Sequence, residues 1–201
     1  MSEIKKPNGE VVLRNVRLAF PDLFTPVKPK DQQNNPKVKE KYQATFLVAK
    51  DDPQLKEIEA AIMRVSKAEW GKDAEAMIAS LRPVKQQFFM QDGDGMNKKH
   101  LDGFAGHMAV AAKNPNKMPT LDRHGRPVTE ADNVLYRGCY VNAKIEIYAQ
   151  NDDNKGIRAS LLGVVFNRDG AMFGGGRVAS ADELADLTVP DQATTDLSDI
   201  L

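Results

Sequence analysis

Residues 139–149, CYVNAKIEIYA, alternate between apolar and polar side chains. Successive side chains of a β-strand point to opposite faces, so one face of this segment is apolar throughout. That face carries Cys139, Val141, Ala143, Ile145, Ile147 and Ala149. Because a strand that is apolar on one face must bury that face against another layer, the segment predicts a β-sheet with one face in a protein core.

Five further segments predict strands from their β-branched residues or their alternation: 10–20, 42–49, 85–91, 107–113 and 157–166. The first is expected to place Val12, Val16, Leu18 and Phe20 on one side. The second is expected to place Tyr42, Ala44, Phe46 and Val48 on one face. Between the strands, the proline-containing segment 25–41 predicts a loop, and 114–133 predicts a long loop or a small hairpin.

One clear helix interrupts the strands. Asp52 is a candidate N-cap, Pro53 suits the first helical position, and apolar residues recur at helical spacing until Gly71. We therefore expect a helix over 53–70, with a second, short helix over 73–81. Many strands, one main helix and long basic loops predict a mainly β protein built as a small barrel.

The chain is neutral overall, with 28 basic and 28 acidic residues, but its charges are unevenly distributed. No Lys or Arg follows Arg177, whereas residues 178–201 contain six acidic residues and so carry −6. Because the total is zero, residues 1–177 carry +6. A basic body joined to an acidic end predicts a polyanionic partner such as nucleic acid. We expect one domain over 1–177 and a flexible, disordered acidic tail over 178–201.

The polar face of segment 139–149 has the residue types that single-stranded nucleic acid needs. Tyr140 and Tyr148 bracket Lys144 on that face. Bases stack on aromatic rings, and a lysine neutralises phosphate. Against this interpretation, Glu146 lies on the same face, and half-exposed tyrosines are common on strands that bind no ligand. The functional interpretation assigns base stacking to the two tyrosines and a phosphate contact to Lys144.

Basic and aromatic residues in the loops extend this candidate site. The further candidates for phosphate contacts are Lys28, Lys30, Lys37, Lys39, Lys98, Lys99, Arg123, Arg126 and Arg137. Phe104 and Tyr136 lie among them as further candidates for base stacking. A solvated surface is the alternative for any single one of these cations, but as a set they predict a groove for a polyanion.

Motifs for catalysis or metal binding are not convincing. DGDGMN (92–97) begins like a calcium loop, but Met96 stands where an oxygen ligand is needed. The three histidines have no paired spacing for zinc, and FGGGR lacks the Lys-Ser/Thr pair of a phosphate loop. Cys139 lies on the apolar face of its strand, where a thiol stays protonated. We therefore expect no catalytic residue, no metal and no cofactor.

Three features bear on where the protein acts. The chain has one cysteine, which cannot form an internal disulfide and so favours a reducing compartment. Its start, MSEIKKPNGE, lacks the apolar core of a signal peptide. No apolar run approaches the roughly 20 residues that cross a bilayer. We expect a cytosolic protein with no membrane partner.

Several stretches resemble a family of phage single-stranded DNA-binding proteins long catalogued as a domain of unknown function. They are LRNVRLAFPDLF near the start, YRGCYVNAKIEIYA with GIRASLLGVVFNRDG, then FGGG and the acidic end. The similarity covers most of residues 10–177, and the block 138–177 is its most specific part. The resemblance implies an OB-fold-like barrel that coats and protects single-stranded DNA during phage replication and recombination, in the cytoplasm of the infected bacterial host.

The acidic tail has two expected roles. Its charge predicts that it competes with DNA for the basic body, and the resemblance implies that it recruits replication and recombination proteins. The partner-binding residues would be Asp196, Leu197, Asp199, Ile200 and Leu201. Two features depart from the family pattern. No aromatic residue closes the tail, and the helix 53–70 follows only two predicted strands, whereas an OB barrel has its helix after the third.

Two other functions stay open on the sequence. One is a DNA-annealing or recombination protein that acts on paired strands. The other is a nuclease subunit, which would need clustered carboxylates that the scattered acids do not provide. The sequence also leaves open whether the chain forms a homodimer, and whether it prefers single-stranded DNA, double-stranded DNA or RNA.

Overall fold

The computed structural model describes residues 9–29, 32–95 and 103–174 of the 201-residue chain. Its helices and strands, in chain order, are β1 (Glu10–Val27), β2 (Lys41–Ala49), α1 (Gln54–Trp70), α2 (Ala74–Leu81), β3 (Met90–Asp92), β4 (His107–Asn114), β5 (Thr120–Leu121), β6 (Tyr140–Gln150) and β7 (Gly156–Arg168). The expectation of a mainly β protein with one main helix is confirmed.

Five of the strands close into a barrel. Neighbouring strands pair in the order β4-β2-β1-β6-β7, and β7 returns to pair with β4. The pairs along this order are antiparallel, whereas the closing pair is parallel, with Lys113 opposite Ser160. A five-stranded Greek-key closure of this kind is that of an OB barrel. The short strands β3 and β5 add to the outer edges of β4 and β7.

The barrel core is filled by alternate residues of the long strands, as the pattern of the sequence predicts. In β2, Ala44, Phe46 and Val48 are buried, and Tyr42 packs against the same core. In β6, the buried residues are Val141, Ala143, Ile145 and Ile147, and Cys139 is buried just before the strand begins. The burial of these alternate side chains provides the main apolar contribution to folding.

Strand β1 is bent by a bulge at Asn15. The backbone of Asn15 has φ 52°, and the pairing with β6 shifts between Leu13 and Val16. An extra residue in a strand resets the alternation of its side chains. Val11 and Leu13 are therefore buried before the bulge, and Val16 and Leu18 after it. The prediction that Val12 shares the side of Val16 is wrong: Val12 is 44% exposed.

A second irregularity follows at Phe20, where φ is 48°. The pairing with β2 shifts between Ala19 and Asp22 and again between Asp22 and Val27. The prediction that Phe20 shares the side of Val16 and Leu18 is wrong for this reason, since the Phe20 side chain is 39% exposed whereas the other two are buried. The strand also continues through the beginning of the predicted loop 25–41. Prolines 21 and 26 concealed this extension, because proline is tolerated in a strand mainly where the regular ladder is interrupted.

Helix α1 follows the second strand of the barrel, so its unusual position in an OB barrel is confirmed. Pro53 occupies the N-cap position rather than the first helical position, and the Asp52 carboxylate accepts a hydrogen bond from the Gln54 N–H at 2.9 Å. The helix ends at Gly71, which has φ 56°. Its apolar face packs on β6 and β1 through Ile58, Ala61, Ile62 and Val65. Helix α2 confirms the second predicted helix.

The strand predicted over 85–91 is mostly absent, because the chain first makes two turns after α2. Val84 N–H donates to Leu81 O at 2.9 Å, and Gln87 N–H donates to Val84 O at 2.8 Å. The chain then joins β4 at the end of the predicted segment: Phe89 O accepts the Ala111 N–H at 2.9 Å, and Met90–Asp92 pairs with β4 as a strand.

Segment 114–133 is predicted as a long loop or a small hairpin. It forms a small hairpin, closed by a bridge between Leu121 and Pro127. In the described part of the chain, no helix is long and apolar enough to span a membrane.

Candidate nucleic-acid interface

A second apolar cluster lies on the outside of the barrel. Its buried residues are Ala19, Leu47, Phe104, Ala109 and Phe173. Leu47 alternates with the core residues of β2 and therefore points outward, and Ala109 is its partner on β4. Phe104 and Phe173 come from segments outside the barrel strands and cover the two. The chain around these two phenylalanines therefore lies on the outer face of β1, β2 and β4.

Arginines and aromatic rings surround this cluster. The Arg17 Cζ lies 4.2 Å from the centre of the Phe173 ring and 5.4 Å from that of Tyr140. The Arg168 Cζ lies 3.4 Å from the centre of the Tyr140 ring. We call the set the arginine–aromatic surface: Arg17, Phe20, Phe104, Arg137, Tyr140, Arg168 and Phe173. It combines flat rings with fixed cations, the two groups that bind bases and phosphates of a single strand.

Phe20 is the exposed apolar residue of this surface. Its ring centre lies 5.9 Å from that of Phe104, and the Arg137 Cζ lies 5.6 Å from the Phe20 ring centre. A bulky side chain in the left-handed region is a backbone outlier, which a fold keeps only where its surroundings impose it. The second irregularity of β1, at Phe20, therefore holds an aromatic ring outside the core, between an arginine and a second ring.

Arg17 fixes the segment that covers the surface. Its guanidinium donates to Gly138 O, from Nε at 3.2 Å and from Nη2 at 3.1 Å, and also to Ala171 O. The Phe173 N–H donates to Arg137 O at 3.1 Å. Gly138 lies between these groups with φ 102°. The turn before β6 and the segment after β7 are thus held together by one arginine.

Arg168 is held by the bulge in β1. Its Nε donates to Asn15 Oδ1 at 3.1 Å, and the same oxygen accepts a hydrogen bond from Asn167 Nδ2 at 3.1 Å. The Asn15 N–H in turn donates to Asn142 Oδ1 at 2.9 Å. The guanidinium of Arg168 is therefore positioned both by the Tyr140 ring under it and by a hydrogen bond at its edge.

Three predicted site residues meet on this surface: Phe104, Arg137 and Tyr140. Phe104 is only 3% exposed, so its ring supports Phe20 and the cluster below it. Tyr136 is half-buried beside them. Its hydroxyl accepts the Gly170 N–H at 3.1 Å and lies 3.0 Å from Asp169 Oδ1, and burial raises the pKa of this hydroxyl. Tyr136 thus anchors the turn after β7.

Tyr148 and Lys144 lie elsewhere on β6. Tyr148 is opposite Arg158, eight residues from Tyr140, which corresponds to roughly 27 Å at the rise of an antiparallel strand. It is 39% exposed, and partial burial raises the pKa of its hydroxyl. Lys144 lies between the two tyrosines, and its Nζ forms an ion pair with Glu10 at 2.8 Å. The structure does not bring these two residues together with the arginine–aromatic surface.

The cations predicted in the loops are dispersed. Lys28 Nζ donates to Asn35 O at 3.3 Å, and Lys37 and Lys39 are exposed. Arg123 Cζ lies 5.4 Å from the Phe166 ring centre, and Arg126 pairs with Asp122 at 2.7 Å. The remaining predicted residues lie outside the described part of the chain: Lys30, Lys98, Lys99, Asp196, Leu197, Asp199, Ile200 and Leu201.

Four residues of the surface are not predicted from the sequence: Arg17, Phe20, Arg168 and Phe173. Phe20 is predicted on the side of Val16 and Leu18 because no glycine marks the irregularity at residue 20. Phe173 could have been predicted from its surroundings in RDGAMFGGG, since a single aromatic residue in a glycine-rich segment indicates packing against the rest of the protein. The two arginines could have been found from their position on the outward side of strands next to aromatic residues.

The DGDG segment forms an ion pair with a lysine. Lys50 Nζ lies 2.7 Å from Asp92 Oδ1 and 2.5 Å from Asp94 Oδ2. Hydrogen bonding to Lys50 lowers the pKa of both carboxyls. Among the described residues, no group of three or more His, Cys, Asp or Glu side chains could hold a metal ion.

Cys139 should be unreactive in the folded protein. Its side chain is fully buried, and this burial raises the pKa of the thiol to about 11. The thiolate is the nucleophile, so at pH 8 we expect a disulfide reagent such as DTNB to leave the native chain unlabelled. Unfolding in denaturant should release one reactive thiol per chain, in agreement with the single cysteine. Rapid labelling of the native protein would place the sulfur at the surface instead.

Comparison with known proteins identifies relatives over nearly the whole chain. Residues 9–195 match the family model described as "Enterobacter phage Enc34, ssDNA-binding protein". Protein p50 of Acyrthosiphon pisum secondary endosymbiont phage 1 is 40% identical over 185 residues, which are 91% of this chain and 96% of that protein.

Solved structures of phage proteins share the fold. The single-stranded DNA-binding protein from bacteriophage Enc34 in complex with ssDNA has a TM-score of 0.67 at 24% identity, covering 86% of this chain and 97% of that chain. The gp2.5 single-stranded DNA-binding protein of bacteriophage T7 has a TM-score of 0.53 at 13% identity, covering 94% and 100%. These likenesses support the OB-like barrel.

Proposed function

The chain belongs to the family of the Enterobacter phage Enc34 ssDNA-binding protein, and we propose that it binds single-stranded DNA without sequence preference in phage replication and recombination. The family match over residues 9–195 is the observation that carries this proposal. The protein acts by binding rather than by catalysis, in the cytoplasm of the infected bacterial host. It coats exposed single strands and protects them.

The arginine–aromatic surface is the centre of the proposed binding site. Phe20 offers an exposed ring, and every base has a face that can stack on it, so binding tolerates any sequence. Arg17, Arg137 and Arg168 surround the rings with positive charge that attracts the phosphates. Tyr148 and the exposed Lys37 and Lys39 extend the proposed path beyond this centre.

A binding titration tests the function. Fluorescence anisotropy would compare single-stranded DNA, duplex DNA and RNA of equal length between about 50 and about 200 mM salt. We expect single-stranded DNA to bind most tightly. The logarithm of its binding constant should fall linearly with the logarithm of the salt concentration, with a slope of about −0.7 per phosphate contact. Tighter binding to the duplex, or acceleration of strand annealing, would favour a protein that acts on paired strands. No binding to any of the three would overturn the proposal.

The ion pair between Lys144 and Glu10 should reduce the contribution of Lys144 to DNA binding. Because Glu10 already neutralises Lys144, Lys144→Ala should lower the salt slope by less than the roughly 0.7 of a full phosphate contact. Glu10→Gln should tighten single-stranded DNA binding at low salt, because it removes a negative charge beside the proposed path. The difference between Glu10→Gln and the parent should shrink as salt screens the charges. A full slope change in Lys144→Ala would show that DNA displaces Glu10.

We also place residues 1–177 in the binding domain and residues 178–201 in an acidic tail that competes with DNA. The described part of the chain ends at Gly174, one residue after Phe173, a member of the arginine–aromatic surface. The segment of charge −6 that follows in the sequence is attracted to the same cations as the phosphates. Its end, from Asp196 to Leu201, combines acidic and apolar residues that suit a basic rim and an apolar pocket on replication and recombination proteins.

Deleting residues 181–201 should tighten single-stranded DNA binding, most at low salt, because the screening length is about 10 Å at 0.1 M. The matched control keeps the length of the tail and replaces its six acidic residues with Asn and Gln, and it should tighten binding to the same extent. The deletion should also abolish capture of replication proteins from infected cells. Unchanged affinity at every salt concentration would contradict the competition, and retained capture would contradict recruitment.

A further inference from the structure

The Tyr140 ring is covered by its neighbours. The Arg168 guanidinium stacks on it at 3.4 Å, and Arg17 lies at 5.4 Å from the ring centre. The backbone of Gly170 approaches so closely that a Cβ there would lie 3.0 Å from Tyr140 Cε2. A base that stacked directly on Tyr140 would have to displace Arg168.

Arg168 is held on one face of its guanidinium and at one edge. Its Nε is engaged by Asn15 Oδ1, whereas its two terminal nitrogens have no hydrogen-bond partner among the described residues. Arg168 is an exposed residue, and in the described part of the chain Tyr140 is the ring that stacks on its guanidinium. A guanidinium is planar and weakly hydrated, and it stacks on flat rings with either face.

We propose that a DNA base stacks on the outer face of the Arg168 guanidinium, with Tyr140 as the support beneath it and Asn15 as the positioning residue. The terminal N–H groups of Arg168 then remain available to a phosphate of the same strand. This inference rests on the proposed single-stranded DNA binding and names the group that receives a base. Every base can stack in this way, so the contact adds affinity without sequence preference.

Arg168→Lys tests the proposal because lysine keeps the positive charge but has no planar group on which a base can stack. Two strands of equal length are compared, one with bases and one abasic. On the strand with bases, Arg168→Lys should lose roughly five- to hundredfold in affinity, the range for one stacked base. On the abasic strand it should bind like the parent, with the same salt slope. The matched control is Arg82→Lys. Arg82 is the C-cap residue of α2, its Cζ lies 4.8 Å from the centre of the Phe88 ring, and it is not part of the arginine–aromatic surface, so this substitution should change neither affinity.

Asn15→Gly tests the positioning role. Glycine accepts the left-handed backbone of residue 15, so the bulge persists while the hydrogen bond to Arg168 is lost. We expect a smaller loss on the strand with bases than in Arg168→Lys, and none on the abasic strand. Quenching of 2-aminopurine in the bound strand reports stacking directly and should weaken in both variants.

The possible outcomes separate the inference from the function. If the parent protein does not bind the strand with bases, the proposed function fails. If the parent binds and Arg168→Lys binds both strands equally well, no base stacks on Arg168. An equal loss on both strands would make Arg168 a charge or structural contact only, which also contradicts the inference.

Discussion

Replacing Phe20 by Ala or by Gly should weaken single-stranded DNA binding by about 1–3 kcal/mol, the contribution of one stacked base. The Phe20 ring is the exposed ring of the arginine–aromatic surface, and both substitutions remove it completely. The two variants should bind equally weakly, because the loss of affinity results from removing the aromatic ring and not from a change in the backbone. Titrations at constant salt measure both affinities.

The same pair of variants should differ in stability. Glycine adopts φ 48° without strain, whereas alanine does not. The free energy of unfolding of Phe20→Gly should therefore be about 1 kcal/mol higher than that of Phe20→Ala. Val84→Ala is the control for loss of an exposed apolar side chain away from the surface, and should leave affinity unchanged. Parent-like DNA affinity in both Phe20 variants would move the stacking site elsewhere, and equal stability would contradict the left-handed backbone at Phe20.

Gly138→Ala should destabilise the protein by about 2–4 kcal/mol and weaken DNA binding as well. A Cβ at Gly138 would lie 2.2 Å from Ala171 O and 3.0 Å from Phe173 N, and φ of 102° strains any side chain there. The segment that carries Phe173 must therefore move away, which disrupts the partners of Arg17. Urea unfolding followed by the fluorescence of the single tryptophan, Trp70, measures the loss.

Gly125→Ala separates strain from collision. Gly125 also has positive φ, 80°, but a Cβ there meets nothing within 4 Å. It should cost only about 1 kcal/mol, the penalty of the dihedral alone. If the two glycine variants lose the same stability, the close packing of the turn before β6 against residues 171–173 is not present in solution.

The regular part of the fold could be predicted because local pattern and tertiary structure agree there. Segment 139–149 alternates without interruption, and the structure places β6 over almost the same residues. Helix α1 has a terminating glycine and a continuous apolar face, and its bounds differ from the prediction by one residue. In both segments each residue has an ordinary backbone conformation, so side-chain period alone determines which face is buried.

Strand β1 could not be predicted in detail because neither of its two bends contains a glycine. Positive φ is usually provided by glycine, yet Asn15 and Phe20 adopt it here. Each bend is imposed by pairing with a different neighbour, β6 for Asn15 and β2 for Phe20. Since those partners are distant in sequence, alternation read along β1 continues through the bends and assigns Val12 and Phe20 to the wrong side.

The candidate site could be predicted in part: Phe104 and Arg137 from the residue types of their loops, and Tyr140 from its position on a strand. Tyr140 was identified because it lies on the outward face of a strand with clear alternation. Arg17, Arg168 and Phe173 were missed because the barrel brings them together from β1, the end of β7 and the segment after it. Their functional character comes from mutual contact, which requires the strand order β1-β6-β7.

Photo-crosslinking tests most directly whether single-stranded DNA binds at the arginine–aromatic surface. Iodouracil-substituted single-stranded DNA would be irradiated with the full-length protein, and the attached peptides identified by mass spectrometry. We expect cross-links at Phe20 and in residues 136–140. In the Phe20→Gly variant, the cross-link at residue 20 should be lost. Cross-links confined to Tyr148 and the far end of β6, with none on the arginine–aromatic surface, would contradict the account.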